Sequence, residues 1–198
     1  ADFDFTNLRH LHTLEHGEVK ANWKLIMENS LEPYHTPFIH KSTGGGIPLE
    51  DHYMIVEEGL IGCGIDMPDK DSDAPSLTEK GLTAESLFLS VPPLLIFVVY
   101  DGSTVIVHRN IPNLERPDRT WRSVYLYSIG DKTLTEKELQ DWIDITYKIH
   151  VEEDGPVYEN LQRGKLSPVT NDGGILSPVW ETAVAKFFET WAHKLNER

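Results

Sequence analysis

The 198-residue sequence contains a single cysteine, Cys63. No intramolecular disulfide can form, and these residues alone cannot hold an iron–sulfur cluster that needs two cysteines. The lone thiol fits a reducing compartment, so a cytoplasmic location is expected. Basic residues are also scarce: 18 Lys and Arg stand against 32 Asp and Glu, for a net charge of −14. That balance argues against a nucleic-acid partner, because phosphate contacts need Lys and Arg. The acid excess reads as a solvated surface. Long apolar runs are missing. The longest, Val91 to Tyr100, has about ten residues and includes Pro92 and Pro93. That is too short to span a bilayer, and no membrane partner is expected. The start, Ala1-Asp2-Phe3-Asp4, lacks the apolar segment of a signal peptide. There is no internal repeat and no low-complexity tract. The remainder, 39% hydrophobic and 25% charged, is an ordinary globular composition at a length that suits one domain.

The densest chemistry lies between Asn22 and His40. Trp23, Ile26, Met27 and Leu31 recur at helical spacing, so a helix with one apolar face is expected from Asn22, ending or kinking at Pro33. His35 and His40 are five positions apart. On an unbroken helix they would point well away from each other. Pro37 lies between them and pushes Thr36 toward an extended backbone, so a bend there would let the imidazoles converge. Two neutral imidazoles suit a divalent first-row metal. With one carboxylate they make the facial triad of non-haem iron oxygenases, and zinc accepts the same ligand set.

The rest of the chain reads as follows. Residues 1–20 form a polar arm with surface histidines His10, His12 and His16 and a turn at Glu15–Glu18. Gly44–Gly46 mark a flexible loop, without the Gly-Lys-Ser/Thr ending of a phosphate loop. Strands are expected at 52–57 and 60–65 about a Glu58-Gly59 turn, then at 87–90, 94–100, 104–109 and 120–128, with Asp101-Gly102 as a hairpin turn. The aspartate-rich 66–83 segment lacks the order of a calcium loop and reads as a solvated loop. Thr135 to Glu138 is a capping box opening a helix to about Glu153. Gly155-Pro156 is expected to break that helix, with 157–163 resuming it and Gly164 closing it. Ser177-Pro178 is expected to open a last helix with an apolar stripe of Val184, Phe187, Phe188, Trp191 and Leu195. Helix, antiparallel meander and C-terminal helices together give an α+β domain. The acids are too numerous to choose a third ligand by count, but a kink near Glu152-Glu153-Asp154 would turn one of them inward.

Asn22-Trp23-Lys24, Glu28-Asn29, Glu32-Pro33-Tyr34-His35 and His40 resemble the iron-binding helix of Rieske ring-hydroxylating oxygenase α-subunits. That family's pattern is Asn-Trp-Lys, a short gap, Glu-Asn, an acid, Tyr-His, four residues and His. Glu153-Asp154, followed by Gln162-Arg163-Gly164, is similar to a second segment of the same family. The resemblance runs from Asn22 to the last helix. It implies mononuclear Fe(II) on His35, His40 and Asp154, with O₂ as cosubstrate. It also implies that Glu32 carries electrons from the Rieske two-iron two-sulfur cluster of a neighbouring subunit, and that Asn29 lies near the iron. Electrons would start from NAD(P)H and pass through a reductase, a ferredoxin or both. Glu32's place between subunits implies a homotrimer or a multiple of one. The product would be a hydroxylated, dihydroxylated or demethylated small organic molecule; an aromatic acid, an aryl methyl ether or a quaternary ammonium would serve as substrate. The implied fold is the helix-grip (START/SRPBCC-like) domain, an antiparallel sheet wrapped around a long C-terminal helix. Residues 1–198 would be one catalytic domain, with the N-terminal Rieske domain absent from them. Two other readings use the same residues: a zinc hydrolase with a metal-bound water, and a helix-grip module that binds a ligand without redox chemistry.

Overall fold

A computed structural model describes residues 5–43, 47–57, 59–66, 85–91, 94–100, 104–170 and 174–196. Seven segments pair into one antiparallel sheet: β1 (Leu8–Val19), β2 (His52–Glu57), β3 (Leu60–Asp66), β4 (Glu85–Val91), β5 (Leu95–Tyr100), β6 (Thr104–Pro112) and β7 (Thr120–Ile129). Their order is β1-β7-β6-β5-β4-β3-β2. Strands β2 to β7 are therefore a meander, and β1 closes against β7. The expected strands are all present, and β6 runs on into Pro112 where a loop was expected. The Gly44–Gly46 loop, the aspartates from Asp69 to Asp73, Pro92-Pro93 and Asp101-Gly102 lie outside the described residues.

The first twenty residues depart from expectation. Residues 5–20 form no polar arm; they hold the twelve-residue edge strand β1. Its pairing shifts register between His10 and His12 and again between Glu15 and Gly17. Gly17 sits at φ 80°, so the expected turn is a β-bulge. Two bulges break the period-2 pattern by which a strand is read from sequence. They also leave His16 half-buried instead of at the surface.

Among the described residues, five α-helices complete the fold: α1 (Trp23–Ser30), α2 (Thr36–Ile39), α3 (Glu136–Tyr147), α4 (Asp154–Lys165) and α5 (Thr182–Asn196). No helix among the described residues is long and apolar enough to cross a membrane. The Thr135–Glu138 capping box forms as expected. Ser177 caps an isolated turn, its hydroxyl accepting from Val179 and Trp180 N–H at 3.3 and 3.1 Å, and α5 starts only at Thr182. Gly164 lies inside α4, which ends on Leu166.

Strand register aligns residues in rows across the sheet face that meets the helices. One row is His52–Ile65–Ser86–Tyr100, the next Cys63–Phe88–Val98–Ile106–Leu126, and the next Ile61–Ser90–Ile96–His108–Val124. Ile61, Ile96, Val98, Ile106, Val124 and Leu126 pack with Met27 and Leu31 beside α1 and with Ala183, Val184 and Phe187 of α5. Trp23 meets Phe187 and Trp191 edge-on, at 5.9 and 5.0 Å between ring centres. Beyond the His108 row lies Arg122, 1% exposed. It donates to His108 Nδ1 at 2.9 Å and to the Tyr158 hydroxyl at 3.2 Å. Burial, then the neighbouring His150 and Arg122, holds His108 well below the ordinary histidine range. Burial and the same two neighbours lower His16 to about 3.

Two predictions follow from this packing. Phe187→Ala should cost about 3–5 kcal/mol by emptying the core centre, and Thr135→Ala about 1 kcal/mol by removing a solvent-exposed cap. Urea unfolding measures both, and equal losses would contradict this division. The second concerns acid. His16 and His108 are depressed in the folded chain, so their stabilising effect is complete above pH 6.5, the ordinary histidine value. As the pH falls from there toward about 3, unfolded His16 binds a proton that folded His16 does not. Stability then drops by up to about 1.4 kcal/mol per pH unit for each such group. In metal-free protein, the pH dependence of the urea midpoint should correspond to about one proton less in His16→Gln than in the parent. Parallel slopes would contradict the assignment.

Candidate metal centre

The Asn22 carboxamide caps α1 by accepting from the Lys24 N–H at 3.0 Å. The backbone N–H of Asn22 donates to the Gln162 side chain at 2.8 Å. The two segments singled out in the sequence therefore touch directly, which docks α1 against α4. The chain leaves α1 at Leu31, and Glu32-Pro33 turns it into the single turn α2. Here the structure corrects an expectation. Thr36 is helical rather than extended, and Pro37 sits in the first turn of α2, where its missing N–H has no partner to lose. The change of direction falls at Glu32–Tyr34, before His35. His35 and His40 are the N-cap and C-cap of α2, and His40 leaves helical geometry at ψ 37°. Flanking one helical turn, rather than bending at Pro37, is what lets the two rings meet.

The carboxylate comes from a second irregular helix. Residues Glu136 to Lys165 form one continuous rod, with a π-helical segment, Lys148–Glu153, between α3 and α4. The Asp154 N–H bonds the Ile149 carbonyl, five residues back. The expected break at Gly155-Pro156 does not occur. A proline in a helix lacks an N–H and crowds the carbonyl four residues earlier; widening the preceding turn relieves that crowding, and the helix passes through Pro156. Among the three acids here, Glu152 is exposed, Glu153 half-buried and Asp154 3% exposed. Two of them turn inward, where one was expected.

The result is a cluster of three donors. His35 Nε2 and His40 Nε2 are 3.2 Å apart, and Asp154 Oδ1 lies 3.3 Å from His40 Nε2 and 3.8 Å from His35 Nε2. A point about 2.0 Å from all three exists inside that triangle, within the usual range of metal bonds to imidazole and carboxylate. Protonation reinforces the geometry. His35 Nδ1 donates to Glu32 at 2.6 Å, and His40 Nδ1 donates to Glu153 at 2.9 Å. Both Nε2 atoms therefore present lone pairs, and Asp154 Oδ1 adds a third. Asn29 Nδ2 is the one amide donor near them among the described residues, at 3.2 Å from Asp154 Oδ1 and 3.4 Å from His35 Nε2. Such an arrangement calls for a cation. Burial opposes charge on His40, yet Asp154 and Glu153 outweigh burial and raise its pKa. Burial likewise opposes ionisation of Asp154, but the hydrogen bond from His150 and one from His40 in its protonated form hold it well below the usual carboxylate range.

Glu32 lies against the centre as expected, but as the acceptor for both the backbone N–H and Nδ1 of His35. The sequence reading missed the matching part played by Glu153, which takes His40 Nδ1 together with the hydroxyls of Ser42 and Thr43. It also missed His150, whose Nδ1 donates to Asp154 Oδ2 at 3.3 Å and leaves Oδ1 for the cluster. Its place four residues before Asp154, one turn away on a helix, was the available signal.

A cavity of about 100 Å³ opens beside the cluster. His35, His40, Asp154, Asn29 and Glu32 line one side. The sheet rows supply the other: Ile65, Phe88, Ile96 and Val98, with Tyr100, Ser86 and His52. A group able to hold a metal on one wall and a mostly apolar opposite wall are the makings of a site for a small organic molecule.

Comparison with curated protein sequences yields no match. Solved structures are similar in fold. The quaternary ammonium Rieske monooxygenase CntA with an inhibitor superposes at TM-score 0.75 and 20% identity, over 94% of this chain and 49% of that one. NdmA of Pseudomonas putida CBB5 with caffeine gives 0.63 and 18%, over 98% and 54%. Dicamba monooxygenase bound to dicamba gives 0.65 and 18%, over 94% and 59%. The chain thus spans about half the length of the first two. Residues 5–197 match the family described as ring hydroxylating alpha subunit (catalytic domain). Fold and sequence match agree, and the chain belongs to the ring-hydroxylating α-subunit family, in its catalytic domain.

Proposed function

We propose that this chain is the catalytic domain of a Rieske-type mononuclear non-haem iron oxygenase. It binds Fe(II) through His35, His40 and Asp154 and hydroxylates, dihydroxylates or demethylates a small organic substrate in the adjoining cavity. The observation that carries this reading is the convergence of three lone pairs, with both Nδ1 protons already given to carboxylates. Family membership favours iron over zinc for those ligands. When bound, the iron supplies O₂ activation, with electrons that originate in NAD(P)H and reach it through a reductase or ferredoxin and a Rieske cluster.

The chain's own residues do the rest. Glu32 and Glu153 fix each imidazole as the tautomer with a free Nε2 and make it more basic. His150 and Asn29 orient Asp154. The apolar wall of Ile65, Phe88, Ile96 and Val98 excludes water from the space beside the metal ligands. Glu32, bonded to His35, is the proposed point of electron entry. Tyr34 and Phe38, 50% and 63% exposed, meet edge-on next to it. Two exposed rings at that point support a partner surface there, in a homotrimer or a multiple of one.

Two tests follow. His35→Ala, His40→Ala and Asp154→Ala should fold but fail to hold stoichiometric iron after anaerobic reconstitution, measured by metal analysis. Full iron occupancy in any of them would refute the ligand set. Glu32→Gln separates metal binding from electron delivery. It should keep iron at saturating metal, with affinity weakened about tenfold or more through His35. In a trimer carrying Rieske clusters, cluster reduction should persist while product formation falls about 10²-fold or more. Peroxide-driven turnover, which needs no cluster, should be largely retained. Equal iron loss in Glu32→Gln and Asp154→Ala would place Glu32 in the metal shell instead.

A further inference from the structure

One row of the cavity wall is polar and unmet. His52, Ser86 and Tyr100 stand in register across β2, β4 and β5, linked through Ile65 on β3. They are 7%, 5% and 6% exposed, and all three line the cavity that holds the metal ligands. His52 Nδ1 donates to the Pro48 carbonyl at 2.9 Å, so Nε2 is left as an acceptor. The Tyr100 hydroxyl keeps its proton and is a donor, since burial raises its pKa. His52 Nε2, Ser86 Oγ and the Tyr100 hydroxyl make no hydrogen bond to a described residue, and none is among the polar atoms sealed from solvent without a partner. They therefore open on the cavity. Buried polar groups are almost always paired, so three in one row point to a ligand.

Charge narrows the class. No Lys or Arg lines the cavity among the described residues. Against this row of the sheet wall, away from the centre, a carboxylate would be buried without a counter-charge, and would face the lone pair of His52. A quaternary ammonium can neither donate to His52 Nε2 nor accept from Tyr100. The acids on the wall, Glu32 and Asp154, are engaged by the histidines of the centre. The backbones of His52 and Ser86 are about 10 Å apart at the usual strand spacing, a span that two side chains and one amide can fill. The rest of that wall is apolar.

We infer that the His52–Ser86–Tyr100 row is the polar half of the substrate site, and that the substrate is an uncharged molecule with an apolar body and an amide- or lactam-type edge. Its N–H donates to His52 Nε2, and its carbonyl accepts from the hydroxyls of Ser86 and Tyr100. This inference rests on the oxygenase reading of the cavity and sharpens it.

The test is isothermal titration of the whole chain, metal-free and loaded with Fe(II) under anaerobic conditions. The probes share one ring: benzamide, benzoate, phenyltrimethylammonium and toluene. Benzamide should bind about tenfold tighter than either charged probe. Ser86→Ala, Tyr100→Phe and His52→Phe should each weaken benzamide about tenfold and change toluene less than about twofold, whereas His52→Gln, which keeps an acceptor, should retain much of the affinity. Benzamide binding no tighter than benzoate or phenyltrimethylammonium overturns the inference. So does a parallel loss of toluene, which would mark the three residues as merely structural. Probe binding needs no metal. If the ranking holds while iron loading fails, the oxygenase reading falls alone; if iron loads and the ranking fails, only the substrate class falls.

Discussion

Three lone pairs held against one another, away from water, set the terms for the rest of this structure. Left alone, His35 Nε2, His40 Nε2 and Asp154 Oδ1 would turn apart or take up protons. Each is pinned from behind instead: His35 by Glu32, His40 by Glu153 and Asp154 by His150. The pins come from different elements. Glu32 belongs to the turn after α1, whereas Glu153 and His150 belong to the π segment. The contact of α1 with α4, through Asn22 and Gln162, is thus a condition for the centre as well as for the fold. A polar network of this kind is favourable only when every member is satisfied.

Both helical segments that carry the proposed ligands are irregular, and the irregularity does the placing. A regular helix spreads its side chains at 3.6 residues per turn, and neither a five-residue histidine pair nor an adjacent Glu153–Asp154 pair would face one point. The stop at Leu31, the single turn of α2 and the π segment supply the missing rotations. The sheet supplies rigidity. Its rows place Cys63, Phe88, Val98, Ile96 and His108 by hydrogen-bonded register, so the cavity wall opposite the ligands is set by backbone pairing.

Much of this was legible in the sequence, and what was not has physical causes. The strands of the meander show in their alternation, and Thr135–Glu138 shows as a cap because both are local patterns. His35, His40 and Asp154 were found through two motifs, and the structure brings the three together. Strand β1 looks like an arm in sequence because its two bulges hide the period. The bend falls before His35 and not at Pro37; a proline in a first helical turn and a proline at a break look alike in sequence. The break expected at Pro156 is a π segment upstream, since a helix can absorb proline crowding by widening one turn, and no residue announces that choice. Glu153 and His52 were not assigned a part because their partners, His40 and Pro48, matter through geometry rather than spacing.

Charge balance ties the centre to the cavity. Glu32, Glu153 and Asp154 bring three carboxylates to two imidazoles in a place where burial opposes charge on His40, Glu153 and Asp154. Without metal, the compensation falls on His40, whose pKa is raised; a divalent ion on the proposed ligands would supply that positive charge in place of the proton. Either way the positive charge stays at the centre, within reach of the carboxylates, and none is left over for the opposite wall. The one buried guanidinium among the described residues, Arg122, is spent on His108 and Tyr158 behind that wall. The sheet side of the cavity therefore offers hydrogen bonds without charge. A molecule that sets a formal charge against that side loses its hydration and finds no opposite charge there, whereas an uncharged group loses little and meets His52, Ser86 and Tyr100. The electrostatics that hold the ligands together are in this way also a filter on what can lie beside them.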